Sequence, residues 1–229
     1  MRIGGLQKTS VIDYPGRLCC VVFTVGCNFR CPYCHNPELV SKSAPPLMDE
    51  KEFFSFLSVR KGFLDGVSIT GGEPCLWQDL PDFCSRLKAD GFCVKLDTNG
   101  SMPDMLFDLV KKRLVDYIAM DVKTDPARYT ELAGPKVSSE KIVRSIDIIR
   151  GSGLDYEFRT TCARPFVDLK TVEIITDMIA GAPLYALQKF RPDRVLAPEF
   201  FKDIPQFDAD ELQKFKAVAE KKVGSCIIR

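Results

Sequence analysis

The sequence predicts an α/β fold built on a parallel sheet, and two observations predict it. Apolar runs rich in β-branched residues recur along the chain, and each is followed by a longer amphipathic segment. The first pair is a strand over Leu18–Val25 and a helix over Asp49–Lys61. A strand over Gly66–Thr70 with a helix over Gln78–Asp90 follows, then Cys93–Asp97 with Pro103–Lys112. The second half continues with strands at Tyr117–Val122, Tyr156–Thr161 and Leu184–Phe190, and helices at Ser139–Gly151, Leu169–Ala180 and Ala209–Lys222. In the fourth helix Ile142, Ile146 and Ile149 recur at helical spacing, as do Leu212, Phe215, Val218 and Ala219 in the last. Each parallel crossover needs a covering segment, so this alternation argues for a parallel sheet. Two closures satisfy it, an open doubly wound sheet and a curved partial barrel, and periodicity does not choose between them. The stretches Ser41–Leu47 and Arg191–Pro205 read as long loops inside one domain spanning residues 1–229.

Lys plus Arg total 32 against 31 Asp plus Glu, so no global field recruits nucleic acid or an anionic membrane. The 229 residues are 45% hydrophobic and 28% charged, enough for one sizeable core of a globular protein. Met1-Arg2-Ile3-Gly4-Gly5 leads to Lys8 and Asp13 without a long apolar run, and no apolar run reaches spanning length. The expectation is a soluble, cytoplasmic protein that binds neither nucleic acid nor membrane.

Ten cysteines need explaining. A disulfide framework suits short secreted chains, whereas in a reducing compartment clustered cysteines bind metal and scattered ones pack as small hydrophobes. Cys27, Cys31 and Cys34 fall within eight residues, while Cys19, Cys20, Cys75, Cys84, Cys93, Cys162 and Cys226 are dispersed. The trio follows the first strand, in Gly26-Cys27-Asn28-Phe29-Arg30-Cys31-Pro32-Tyr33-Cys34-His35-Asn36-Pro37. Spacings of three and two intervening residues let each thiolate hold a different iron of one cubane. No further cysteine occurs before Cys75, which leaves the fourth iron open to a substrate or cofactor. His35, the single histidine, adjoins Cys34, and ligation by both neighbours would be strained, which disfavours a closed zinc site.

This motif resembles the signature of the radical S-adenosylmethionine (SAM) superfamily: three cysteines at this spacing with an aromatic residue, here Tyr33, before the last. The resemblance implies one [4Fe–4S] cluster on Cys27, Cys31 and Cys34, with SAM chelated at the open iron through its amino and carboxylate groups. It implies reductive cleavage of the sulfonium to methionine and a 5′-deoxyadenosyl radical, the protein supplying binding and orientation. It also implies a partial (β/α)6 TIM-like barrel of parallel strands, with the site at the C-terminal strand ends.

Gly71-Gly72-Glu73-Pro74 follows the second strand. Alone it is a strand-to-helix turn, although two glycines let a backbone approach a ligand and Glu73 can accept from a protonated amine. Beside the cysteines it resembles the family's GGE motif, which places Gly71, Gly72 and Glu73 at the SAM amino group. The third strand ends in Leu96-Asp97-Thr98-Asn99-Gly100 and the fourth in Met120-Asp121-Val122-Lys123, carboxylates that directly follow apolar runs, where an unpaired charge is costly. These segments resemble those of the pyruvate formate-lyase activating enzyme and the other glycyl-radical-enzyme activases. That resemblance implies Lys123 on the methionine carboxylate and a monovalent cation shared by Asp97, Thr98 and Asp121. Arg159 either binds a carboxylate or pairs with Glu157. Gln188 lies near where the formate-lyase activase carries a SAM-contacting histidine, a departure in this chain. The dispersed cysteines are read as packing, with Cys75 the one expected nearest the pocket.

From Gly5-Leu6-Gln7-Lys8-Thr9-Ser10 through Cys34-His35-Asn36-Pro37-Glu38 to Leu187-Gln188-Lys189-Phe190, the chain resembles the anaerobic ribonucleoside-triphosphate reductase activating proteins of the longer type. The implied reaction removes the α-hydrogen from one glycine of a partner glycyl radical enzyme, anaerobic ribonucleotide reductase. A flavodoxin or ferredoxin-type protein would donate the electron, and the lack of a second cysteine-rich insert implies a single cluster. The competing readings are activation of a different glycyl radical enzyme, a small-molecule substrate, an iron–sulfur electron-transfer or sensing protein without SAM chemistry, and a zinc-stabilised binding module. The Gly71–Glu73 and Asp121–Lys123 motifs argue against the sensor, which needs no amino-acid pocket.

Overall fold

A strand that the periodicity does not reveal opens the fold. In the computed structural model, which describes residues 1–229, β1 (Ile3–Ser10) runs antiparallel to β2 (Cys19–Thr24). Glycines at 4 and 5 and the polar run Gln7-Lys8-Thr9 dilute its alternation below what a sequence pattern shows. Its register slips at both ends, between Ile3 and Gly5 and between Gln7 and Ser10. From β2 onward the expectation holds. Parallel pairing joins β2 to β3 (Gly66–Gly71) without a shift, from Cys19 opposite Gly66 to Thr24 opposite Gly71, and β3 to β4 (Cys93–Thr98).

The chain packs as two compact units. The first comprises Met1–Asn28, Glu38–Thr98 and Asp104–Ile118; the second comprises Phe29–Pro37, Asn99–Pro103 and Ala119–Arg229. Strand order follows chain order throughout, and β5 (Tyr117–Asp121) contributes its first two residues to the first unit and the rest to the second.

In the first unit α1 (Glu50–Ser58) begins at a capping box. Asp49 accepts from the Glu52 amide at 2.8 Å, and Glu52 accepts from the Asp49 amide at 3.0 Å. The helix buries Phe53, Phe54 and Leu57, and Phe53 stacks at 5.4 Å on Phe83 of α2 (Leu80–Ala89). Phe54 meets the same ring edge-on at 5.3 Å, and such aromatic pairs add about 0.5–1.5 kcal/mol each beyond area burial. The next helix is α3 (Pro103–Lys111), with Leu106 and Leu109 buried.

The second unit adds α4 (Tyr129–Ala133), α5 (Ser139–Arg150), β6 (Asp155–Cys162), α6 (Leu169–Met178), β7 (Tyr185–Lys189), α7 (Ala209–Ala219) and a short β8 (Cys226–Ile228). β6, β7 and β8 pair in parallel. Ile142, Ile146 and Ile149 of α5 are buried, as their spacing predicts, and so are Leu212, Phe215 and Ala219 of α7. The sequence pattern gives neither α4 nor β8, each too short to carry a period. None of the ten cysteines forms a disulfide. Six of the dispersed seven are buried and Cys93 is half-buried, which fits packing. No helix is long and apolar enough to cross a membrane.

Candidate functional site

In the first unit the chain leaves β2 through Val25 and Gly26 into Cys27. Backbone hydrogen bonds pin this exit on two sides. The Gly26 and Cys27 amides donate to the carbonyls of Leu39 and Val40 at 2.7 and 3.0 Å. From the end of β3, the Gly72 amide donates to Thr24 at 2.9 Å and the Glu73 amide to Gly26 at 2.8 Å. The two glycines are what this docking requires. A Cβ on Gly71, whose φ is +116°, would lie 2.3 Å from the Thr24 nitrogen, and one on Gly72 would lie 2.0 Å from the Gly26 oxygen. The Gly-Gly pair therefore lets one loop backbone lie against another, a packing reason for glycine at both positions. Trp77 also donates to the Val25 carbonyl at 2.8 Å, fixing the loop from the turn that follows.

Glu73 is fully buried, and its Oε1 accepts from the Thr98 hydroxyl at 2.8 Å and the Cys75 amide at 3.0 Å. Cys75 is thus buried beside the carboxylate, and burial together with that charge pushes its thiol well above the ordinary range. Asp97 forms an ion pair with Lys95, a residue the sequence reading passed over. Its signal was present: in Cys93-Val94-Lys95-Leu96-Asp97 the period of two puts Lys95 and Asp97 on one face, opposite Val94 and Leu96. Lys95 is only 2% exposed.

In the second unit the remainder of the cysteine motif is held at each step. Phe29 packs edge-on against Tyr129 at 6.3 Å, the Arg30 amide donates to Ala133 at 3.0 Å, and the Pro32 carbonyl accepts from Ala197 at 3.0 Å. The Cys34 amide closes a turn onto the Cys31 carbonyl at 3.0 Å. His35 Nε2 bonds the Arg191 carbonyl at 2.9 Å. A carbonyl only accepts, so that nitrogen carries its proton and offers no lone pair to a metal. Burial pushes the Cys31 thiol up to about 11, against the pull of the Lys123 ammonium.

Asp121 holds both cations near it. Arg159 Nε donates to Oδ1 at 2.8 Å and Lys123 Nζ donates to Oδ2 at 3.1 Å. Burial alone would raise the carboxyl, but Arg159 and then Lys123 outweigh it and hold it at about 2. The Lys123 ammonium lies 5.9 Å from the centre of the Tyr33 ring, within cation–π range. Arg159 therefore pairs with Asp121 and not with Glu157, whose carboxylate is taken bidentately by Arg229 at 2.9 and 2.7 Å. Gln188 sits half-buried on β7, in register with Thr161.

Two observations test whether these residues suit an iron–sulfur cluster and a polar cofactor. The motif presents three cysteines outside any disulfide, the donor type that iron–sulfur clusters take. The Tyr33 hydroxyl is buried between Phe166 and Phe190 without a hydrogen-bond partner. Leaving it so costs about 1–3 kcal/mol, which a polar ligand group would relieve. No three His, Cys, Asp or Glu side chains converge tightly enough to cage a metal ion by themselves. The ligand set rests on the motif and its donors.

Residues 21–177 match the family model described as the Radical SAM superfamily. The chain is 34% identical over 234 residues to the "Putative glycyl-radical enzyme activating enzyme MJ1227" of Methanocaldococcus jannaschii, covering 99% of this chain and 95% of that one. It is 30% identical to the pyruvate formate-lyase-activating enzyme of Listeria monocytogenes, over 57% of each. Among solved structures, Streptococcus suis SuiB bound to S-adenosylmethionine superposes with a TM-score of 0.66 at 13% identity, over 91% of this chain and 49% of that one. At that identity the likeness concerns the fold alone.

Proposed function

The chain belongs to the radical SAM superfamily, and from that premise we propose that it is a glycyl-radical-enzyme activating enzyme, residues 1–229 acting as one radical SAM domain. The observation that carries the reading is the match along nearly all of both chains to a relative named for that activity. The geometry supports it. Superfamily membership implies a [4Fe–4S] cluster and SAM, and Cys27, Cys31 and Cys34 would hold the cluster. When bound, the cluster and SAM supply a 5′-deoxyadenosyl radical able to take a hydrogen atom from a glycine α-carbon.

The side chains then divide the remaining work. The Lys123 ammonium, held on Asp121 and facing the Tyr33 ring, suits one carboxylate, that of the methionine moiety. Lys123 would turn to that carboxylate while Arg159 keeps Asp121 neutralised. Glu73, oriented by Thr98, would accept from the ammonium. Tyr33, walled by Phe166 and Phe190, would use its orphaned hydroxyl on the polar part of the ligand. Gly71 and Gly72 set the exit of β2 at Thr24–Gly26, which leads into Cys27, against the turn after β3.

The partner in this reading is anaerobic ribonucleotide reductase, reduced flavodoxin or ferredoxin supplies the electron, and the setting is the cytoplasm. The nearly balanced charge of the chain gives a nucleic acid or an anionic membrane no hold. Anaerobically reconstituted protein, reductant, SAM and that reductase should give a doublet electron paramagnetic resonance signal, with one 5′-deoxyadenosine per radical. Alanine variants of Cys27, Cys31 or Cys34 should give neither. A signal only with another glycyl radical enzyme changes the partner. Stoichiometric 5′-deoxyadenosine driven by a metabolite, with no protein radical, overturns the activase reading.

A further inference from the structure

One face of the second unit's sheet carries a polar row. Side chains two apart on a strand point the same way, so Thr161 of β6 shares a face with Arg159, which holds Asp121. Thr161 lies opposite Gln188 of β7 in register. The parallel pairing runs on past β8, where the Arg229 amide donates to Leu187 at 2.9 Å and the Lys189 amide donates to Arg229 at 2.8 Å. Thr161, Gln188 and Arg229 therefore stand side by side at the C-terminal ends of neighbouring strands. Arg229 is engaged, clamped on the buried Glu157 of the same face. The other two are not. Both are half-buried, and neither the Thr161 hydroxyl nor the Gln188 carboxamide meets a hydrogen-bond partner within the chain. Polar groups held on rigid strands and left unmatched beside the Asp121 cluster are set out for a ligand.

Their chemistry narrows that ligand. Both groups are neutral, so they select no charged partner. The carboxamide offers a carbonyl and an NH2 in one plane, and the hydroxyl adds a donor and an acceptor. A peptide group is the complement, with its own C=O and N–H in one plane. In the activase reading the residue acted on is glycine, which has no side chain to grip, so its place has to be fixed through main-chain amides.

We propose that Thr161 and Gln188 bind the main chain of the glycine-bearing segment of the protein substrate, the Gln188 carboxamide pairing with one of its peptide groups. The proposal rests on the activase reading, and the competing occupant is SAM, near which the resemblance to the formate-lyase activase puts Gln188. The test uses reconstituted protein with SAM and a fluorescein-labelled peptide copied from the glycine segment of anaerobic ribonucleotide reductase. Gln188→Leu should weaken peptide binding about tenfold in fluorescence anisotropy, and Thr161→Val about threefold. SAM affinity in equilibrium dialysis should change by less than about twofold in both. Replacing the peptide's amide N–H groups one at a time by ester oxygen should weaken wild-type binding at one position, and that ester should cost Gln188→Leu nothing further. Should the peptide alone bind too weakly to read, KM for the whole reductase should rise about tenfold in Gln188→Leu at unchanged kcat. A fall in SAM affinity with peptide binding intact assigns Gln188 to the cofactor and overturns the proposal, leaving the activase reading standing. Wild-type binding of both ligands in both variants overturns it equally, as does an ester effect that persists in full in Gln188→Leu at every position. If no glycyl radical enzyme gains a radical and a metabolite drives 5′-deoxyadenosine formation instead, the activase reading falls and takes the proposal with it.

Discussion

The Thr98 hydroxyl donates to Glu73 Oε1 across 2.8 Å, tying the end of β4 to the turn after β3. Both residues are buried, so the carboxylate depends on each of its donors. Thr98→Val keeps the shape and removes the donor. It should cost about 1.5–3 kcal/mol of stability in urea denaturation and weaken SAM binding, with the cluster absorption unchanged. Wild-type stability in this variant would mean that Glu73 is held by other groups.

Gly72→Ala should disturb the cysteine loop from a distance in sequence. Its Cβ would fall 2.0 Å from the Gly26 oxygen, a backbone atom that cannot rotate away. The Glu73-to-Gly26 and Gly72-to-Thr24 hydrogen bonds would have to lengthen. Overpacking of this kind costs about 1–3 kcal/mol. Iron content after reconstitution should fall with it, and full iron loading at wild-type stability would refute the docking role.

The Asp121 carboxyl has a folded pKa of about 2, below its ordinary value of 3.8. A carboxyl lowered on folding stabilises the protein fully above its unfolded pKa, and that contribution fades as pH falls through the folded pKa. The window is therefore about pH 4 down to 2. The side chain keeps 27% exposure, which screens the pair, so its contribution is on the order of 1–2 kcal/mol. Wild type should be more stable than Asp121→Asn at pH 6, and the gap should close towards pH 2. A gap independent of pH would mean that Asp121 acts by packing alone.

Lys123→Ala should weaken SAM binding by about ten- to a hundredfold, since a charge-assisted contact is worth about 1.5–3 kcal/mol. Arg159 would still neutralise Asp121, so folding should be largely preserved. Equilibrium dialysis measures the first effect and thermal unfolding the second. Unchanged affinity would move the methionine carboxylate elsewhere.

The legible parts of this protein are those in which one residue type repeats or one chemistry demands it. The Ile142, Ile146 and Ile149 stripe, the apolar strands β2 to β7 and the cysteine spacing all carry their structural meaning in the sequence. β1 was hidden because Gly4, Gly5 and the polar residues 7–9 leave only Ile3 and Leu6 to mark it, and its partner is supplied by a separate segment. The Arg159–Asp121 ion pair was hidden for a related reason. Whether Arg159 meets Asp121 or Glu157 depends on Arg229 claiming Glu157, a contact 72 residues away in the chain. Two adjacent glycines mark a close approach in the sequence, while the identity of the approaching backbone, Thr24 and Gly26, comes only with the fold.

The central claim is that hydrogen passes from a glycine of a partner protein to SAM-derived 5′-deoxyadenosine. It is tested most directly by preparing anaerobic ribonucleotide reductase with α-deuterated glycine and weighing the nucleoside formed with this chain, SAM and reductant. The account predicts 5′-deoxyadenosine carrying one deuterium, in step with the growth of the protein radical signal. Nucleoside free of deuterium while the radical forms, or its labelling by a deuterated small molecule with no protein radical, would contradict it.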